Sequence, residues 1–156
     1  MSMKMTRMLC LGLVVGIIFA VGANAQTKDE RSVRDVVLKN AEAFEKGDLA
    51  MMNSIWLDDE KVTVVEAGNF DYGWRNFRDK HLGPELKAMQ NRRFETSDIR
   101  AHISGKTAWV TFAYRIKATF AERPIDAEGA GTMVMEKVKG DWRIVHYATS
   151  GKRRQQ

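Results

Sequence analysis

Residues 107–120 read TAWVTFAYRIKATF, and this stretch decides the fold class because its two faces differ in character. Successive side chains of a β-strand point to opposite faces of a sheet. One face of this strand is apolar and the other is mixed. The apolar face comprises Ala108, Val110, Phe112, Tyr114 and Ile116. The pattern predicts a long strand that covers a core on one side.

The stretches around it predict the rest of a sheet. Strands are predicted at 94–103, 126–138 and 142–150, with turns at 104–106, 122–124 and 139–141. Consecutive strands joined by short turns are typical of an antiparallel meander. Gly129 and Gly131 lie inside one strand and predict a bend or bulge, as a strongly curved sheet requires.

Helices are predicted before the sheet. Apolar residues recur at helical spacing over 33–44, with Ser32 as the N-cap and Gly47 as the end. Asp48 can cap a second helix that reaches residue 56.

Two short strands, at 61–67 and 70–72, precede a third helix at 74–82 and a further turn at 85–89. Gly83-Pro84 is expected to break or kink that helix. The predicted class is α+β, with N-terminal helices packed on a strongly curved antiparallel sheet that forms a cone with a pocket.

The first 25 residues have the composition of a secretory signal. Lys4 and Arg7 precede an apolar run at 8–22, and Ala23-Asn24-Ala25 offers a cleavage site. An uncleaved anchor is the alternative, but the run is shorter than the ~20 residues that a spanning helix needs. The sequence therefore predicts a periplasmic or secreted protein without a stable membrane anchor.

Cleavage would change the chemistry of the chain. It removes Cys10, the only cysteine, and lowers the net charge from +5 to +3 because two basic residues leave. The mature chain would comprise a polar lead (26–31), one domain (32–150) and a basic tail (151–156). Its acidic and basic residues are mixed, which favours a solvated surface and no nucleic-acid partner.

Two stretches resemble the SnoaL-like group of the nuclear transport factor 2-like superfamily. They are Glu45-Lys46-Gly47-Asp48-Leu49, and residues 140–150 with the sequence GDWRIVHYATS. Residues 66–85 are similar to a pocket-capping helix of secreted members. The resemblance implies a conical pocket and a homodimer, in a fold that hosts isomerases, dehydratases, cyclases, hydrolases and assembly domains. Ala148 stands where the group's pattern has a second histidine.

His146 is a candidate acid–base residue. Regular alternation places it on one strand face with Trp142 and Ile144, and the resemblance implies that this face lines the pocket. Its imidazole could then act as a general base or acid. The alternative is a sheet histidine that bonds a neighbour or contributes to a dimer surface.

Glu66 is a second candidate. Val62, Val64 and Glu66 share a strand face, so burial of that face would raise the pKa of the carboxyl. The alternative is a strand-end charge that reaches water.

His81 is the third candidate, either in the pocket or as a helix cap or surface residue. It stands four residues before Glu85, a spacing that can hold a metal, but Gly83-Pro84 lies between them. A metal would require Glu66, His81, Glu85 and His146 to converge, and no metal or cofactor is predicted.

Five aromatic residues are candidates for ligand binding, with core packing as the alternative. They are Tyr72, Trp74, Phe77, Tyr114 and Trp142. Together these features favour an exported protein that binds a small apolar or aromatic molecule, with lyase- or isomerase-like acid–base chemistry as one hypothesis. The alternative is a non-catalytic dimeric envelope domain that binds a hydrophobic ligand or a protein partner.

Overall fold

The computed structural model describes residues 18–154, with side chains from residue 28 onward. The predicted signal peptide therefore falls largely outside the described residues. A long helix, α1 (Ile18–Lys46), is followed by the short α2 (Leu49–Asn53) and a hairpin of β1 (Thr63–Glu66) and β2 (Asn69–Tyr72). Among the described helices, none has both the length and the apolarity needed to cross a membrane.

A second helical segment joins the hairpin to the main sheet. It comprises α3 (Trp74–Asn76), a π-helix (Phe77–Leu82) and α4 (Gly83–Ala88). Four long strands complete the described chain, namely β3 (Met89–Ser104), β4 (Thr107–Phe120), β5 (Arg123–Val138) and β6 (Asp141–Arg153).

The six strands form one curved, mixed sheet in the order β2-β1-β6-β5-β4-β3. The predicted meander from β3 to β6 is confirmed, and β1 pairs with β2 in the antiparallel sense. Among the described strands, β1 and β6 pair in the parallel sense, and a parallel bridge between Trp56 and Ile144 precedes this pairing. The sequence predicted an antiparallel sheet, and this prediction is wrong for the contact between β1 and β6.

The core lies between α1 and the concave face of the sheet. Val33 and Val37 of α1 are fully buried, as are Val110 of β4 and Ile144 of β6. Burial of such side chains stabilises a fold by about 25 cal/mol per Å² of apolar surface removed from water. The inward face predicted for residues 107–120 is thereby confirmed.

Several predicted boundaries are wrong. Ser32 is not an N-cap, because α1 continues through it from Ile18. The predicted tail is part of β6 as far as Arg153, because its first residues pair with β5. Gly129 and Gly131 pair with β4 in unbroken register. Glycine is needed at these positions because neighbouring atoms approach the backbone closely. A Cβ at Gly131, for example, would lie 2.2 Å from the Phe112 ring.

Capping was predicted more accurately than helix length. Gly47 ends α1 with a φ of 68°, a left-handed conformation that favours glycine. The Asp48 side chain caps α2 by accepting a hydrogen bond from the Met51 backbone N–H at 2.8 Å. Helix α2 ends at Asn53, three residues before its predicted end.

Candidate functional site

A pocket lies between α1, the π-helix with α4, and the concave face of the sheet. Its empty space amounts to about 680 Å³, including the part open to solvent. Four polar side chains project into it: Asn40, Glu66, Glu85 and Thr149. The aromatic side chains of the lining are Phe44, Trp56, Phe77, Phe94, Tyr114 and Tyr147.

Glu66 ends β1 with its carboxyl in this pocket. Val62 and Val64 are buried on the same side of the chain, which confirms the shared face predicted for the three residues. Burial, and after it the charge of Glu85, raise the pKa of Glu66 from 4.5 to about 7. His81 and the neighbouring Thr149 hydroxyl oppose this rise of the pKa. The Glu66 carboxyl is thus present in both protonation states near neutral pH.

His81 extends from the π-helix and is anchored by the β1–β2 hairpin. Its Nδ1 lies 2.7 Å from Oδ2 of Asp71, and this hydrogen bond is the main reason that the pKa of His81 is raised. Because Nδ1 is engaged by Asp71, Nε2 is the ring nitrogen left for other partners. The histidine also makes an edge-to-face contact with Phe77, with ring centroids 5.3 Å apart.

Glu85 joins Glu66 and His81 in one cluster. Each of the three offers an atom within 4.8 Å of the atoms offered by the other two. The prediction that Gly83-Pro84 would separate His81 from Glu85 is therefore wrong. Desolvation raises the pKa of Glu85 as well.

The helix continues through this dipeptide because the π-helix widens the turn before it. The Gly83 N–H donates to the carbonyl of Arg78, five residues back, and Pro84 lies in the first turn of α4, where no helical N–H is required.

The same three side chains could hold a divalent cation. A cation would need the carboxylates to be ionised, and their burial opposes ionisation. His146 does not complete the set, because it lies elsewhere.

His146 is not in the pocket, contrary to the predicted alternation. In β6, Ile144 pairs with Met135 and His146 pairs with Val134, so Val145 is an extra residue that forms a β-bulge. Beyond the bulge the two faces exchange, and Tyr147 and Thr149 face the pocket instead. His146 Nδ1 lies 2.6 Å from the Thr63 hydroxyl of β1. This position matches the alternative of a sheet histidine bonded to a neighbour.

The five predicted aromatic residues divide between pocket, core and surface. Phe77 and Tyr114 line the pocket, whereas Trp74 is buried beside it, stacked on Trp56 with centroids 4.7 Å apart. Trp142 is buried in the core outside the pocket lining. Tyr72 is 62% exposed on the edge strand β2.

Asn40 is a pocket residue that the sequence could have indicated. It is the one polar residue at an apolar position of the α1 repeat, between Val36 and Phe44, and it is buried. Its Oδ1 accepts a hydrogen bond of 2.9 Å from Trp56 Nε1. Because the indole can only donate, this bond fixes the amide orientation and leaves Nδ2 as the donor that Asn40 can offer to a ligand.

Residues 33–152 match the SnoaL-like domain family. The chain belongs to this family. The match takes in α1 from Val33 onward and the six strands up to Lys152, so it includes the pocket and its carboxylates. None of the curated proteins compared with this SnoaL-like chain matches it.

Solved structures show the same fold. A nuclear transport factor 2-like superfamily protein from Salmonella enterica is 17% identical, with a TM-score of 0.73, over 85% of this chain and 96% of its own. A proposed dehydratase of the same superfamily from Streptomyces avermitilis is 18% identical, with a TM-score of 0.73, over 81% and 97%. A proposed ketosteroid isomerase from Shewanella frigidimarina is 20% identical, with a TM-score of 0.63, over 74% and 92%.

Proposed function

We propose that this protein binds a small, mainly apolar molecule in the pocket and transfers a proton on it through the Glu66 carboxyl. The observation that carries the proposal is the position of Glu66, which is buried among aromatic rings and has a pKa of about 7. A carboxyl whose pKa lies near the ambient pH can both remove a proton and return it, which makes it an effective general acid–base.

The neighbouring groups support such a step. Tyr114 and Tyr147 line the pocket, and burial raises the pKa of both phenols, so they stay protonated and can donate hydrogen bonds. In the proposed step Glu66 takes a proton from a carbon next to a carbonyl, and a phenol or the Asn40 amide stabilises the negative charge on the carbonyl oxygen. Glu66 then returns the proton to another carbon, or to a hydroxyl that leaves as water.

The relatives agree with this class of reaction. One is named as a proposed dehydratase and another as a proposed ketosteroid isomerase, and both names describe chemistry that moves protons on a carbon skeleton. The identities of 18% and 20% support the fold alone, so the reaction is assigned here from the pocket.

The test uses a β,γ-unsaturated cyclic ketone, whose conversion into the conjugated isomer is followed by ultraviolet absorbance. We expect the wild-type protein to accelerate the conversion and Glu66→Gln to lose on the order of 10²-fold or more of that rate. Glu122→Gln, an exposed carboxylate in the β4–β5 turn, is the matched control and should keep the wild-type rate. Equal rates for Glu66→Gln and the wild type would refute the role of Glu66. A ketone that binds without any acceleration would refute proton transfer.

We also propose that the protein is exported and acts as a homodimer. The support for export is the sequence of residues 1–25, and the support for the dimer is the family resemblance. Intact mass measurement of protein from its own host should give a chain that begins at Gln26, and light scattering should give twice that mass. A full-length chain, or a monomer at micromolar concentration, would contradict the respective proposal.

A further inference from the structure

The pocket holds two carboxyl groups, and no basic residue of its described lining balances their charge when they are ionised. Among its described lining residues there is no lysine or arginine, while Glu66 and Glu85 both project into it. Within the described part of the chain, neither carboxylate forms an ion pair within 4.0 Å. The nearby His81 pairs with Asp71 at 2.7 Å, and although its charge lowers the pKa of both glutamates, it is not part of the pocket lining.

Aromatic rings surround these carboxylates. Trp56 is central to the group, with ring centroids 5.8 Å from Phe77 and 6.1 Å from Tyr147. The face of an aromatic ring attracts cations, most strongly when the site excludes water. Carboxylates beside aromatic faces form the combination that binds organic ammonium groups, and they repel organic anions.

We propose that the ligand carries a cationic group, a protonated amine or a quaternary ammonium, which Glu85 holds while the apolar part of the ligand lies against the aromatic rings. This inference rests on the proposed function, since it names the class of substrate for the same pocket. Both carboxylates are partly exposed, and Glu85 is the anchor because it lies on α4 and is less enclosed by the protein than Glu66. Glu66 lies deeper, at the end of β1, and is left to perform the proton transfer.

The test compares three ligands that share one ring and differ in charge. Benzylamine, benzyl alcohol and benzoate are titrated into the protein by calorimetry, at mildly alkaline pH, low ionic strength and with EDTA to remove divalent cations. We expect the amine to bind at least about 10-fold more tightly than the alcohol, as a charge-assisted contact predicts, and benzoate to bind weakest.

Variants at position 85 locate the effect. Glu85→Gln should abolish most of the preference for the amine while leaving the affinity for the alcohol within about twofold, and Glu85→Asp should retain the preference. Glu122→Gln should behave as the wild type. Circular dichroism of each variant confirms that it is folded.

The outcomes separate this inference from the proposed function. An alcohol that binds as tightly as the amine, tightest binding by benzoate, or no binding by any of the three would overturn the charge preference. None of these results changes the ketone conversion that tests Glu66. A preference that survives in Glu85→Gln would overturn the role of Glu85. If Glu66→Gln loses turnover yet still prefers the amine, this would support separate roles for the two carboxylates, with Glu85 in binding and Glu66 in proton transfer.

Discussion

Replacing Glu66 by glutamine should change how the stability of the protein depends on pH. Burial raises the pKa of Glu66 from 4.5 to about 7 in the folded protein. Since folding raises this pKa, the folded state binds the proton more tightly than the unfolded chain does. The resulting stabilisation is complete below the unfolded value and is lost as the pH rises through the folded value of about 7.

The size of the effect follows from the shift. Between about pH 5 and about pH 8.5, a carboxyl with these two pKa values lowers the free energy of unfolding by roughly 2.5 kcal/mol. Glutamine has the same shape and does not titrate, so its own effect on packing is the same at each pH. The difference between the two proteins should therefore shift by roughly 2.5 kcal/mol in favour of Glu66→Gln as the pH rises through this range.

Urea unfolding followed by tryptophan fluorescence measures this difference at a series of pH values. His81 loses its proton over an overlapping range, but it is present in both proteins and largely cancels in the comparison. The control Glu122→Gln should give a curve parallel to that of the wild type. Parallel curves for Glu66→Gln and the wild type would show that Glu66 is solvated, and the argument for its role in proton transfer would fail.

Three further predictions concern single contacts. Asp71→Asn should lower the pKa of His81, because the hydrogen bond from Asp71 is the main cause of its rise, and an unchanged imidazole titration by NMR would contradict this. Trp142→Phe should lower the free energy of unfolding, measured in urea, by about 1 kcal/mol less than Trp74→Phe does. The reason is that Trp74 Nε1 loses a hydrogen bond, whereas Trp142 Nε1 is buried without a hydrogen-bond partner among the described residues. Equal losses of stability in the two variants would argue against an unpaired indole at Trp142. Gly131→Ala should cost about 1–3 kcal/mol, since its Cβ would meet a buried ring, and a wild-type melting temperature would show that the ring can move.

Residue alternation correctly predicted the pocket face of β4, whose pairing with β5 is unbroken. Tyr114 and Ile116 were placed on the inward face of β4, and both line the pocket. The same argument failed for His146, because a single extra residue, Val145, reverses the two faces for the rest of β6. A bulge of this kind depends on how two strands pair, so the sequence of one strand does not reveal it.

The same bulge means that the residue at position 148 does not affect the chemistry of the pocket. Ala148 stands where the pattern of the SnoaL-like group has a second histidine, which predicts one polar group fewer on the pocket strand. Beyond the bulge, however, the pocket is lined by Tyr147 and Thr149. Alternation then places residue 148 on the outer face, where a histidine would not have faced the carboxylates.

The π-helix explains why the acidic cluster exists at all. The residue before a proline avoids helical dihedrals, and for this reason Gly83-Pro84 predicted a break between His81 and Glu85. Gly83 is nevertheless helical, with a φ of −61° and a ψ of −48°, and in the wider turn of the π-helix it packs so closely that a Cβ would lie 2.9 Å from the Arg78 carbonyl oxygen. The glycine and the proline are thus the sequence features that permit this turn, and the turn carries His81 and Glu85 to the same side as Glu66. π-Helical turns recur at functional sites because they place side chains where a regular helix could not. Gly83-Pro84, which predicts a break in the helix, is therefore one of the features that bring the site residues together.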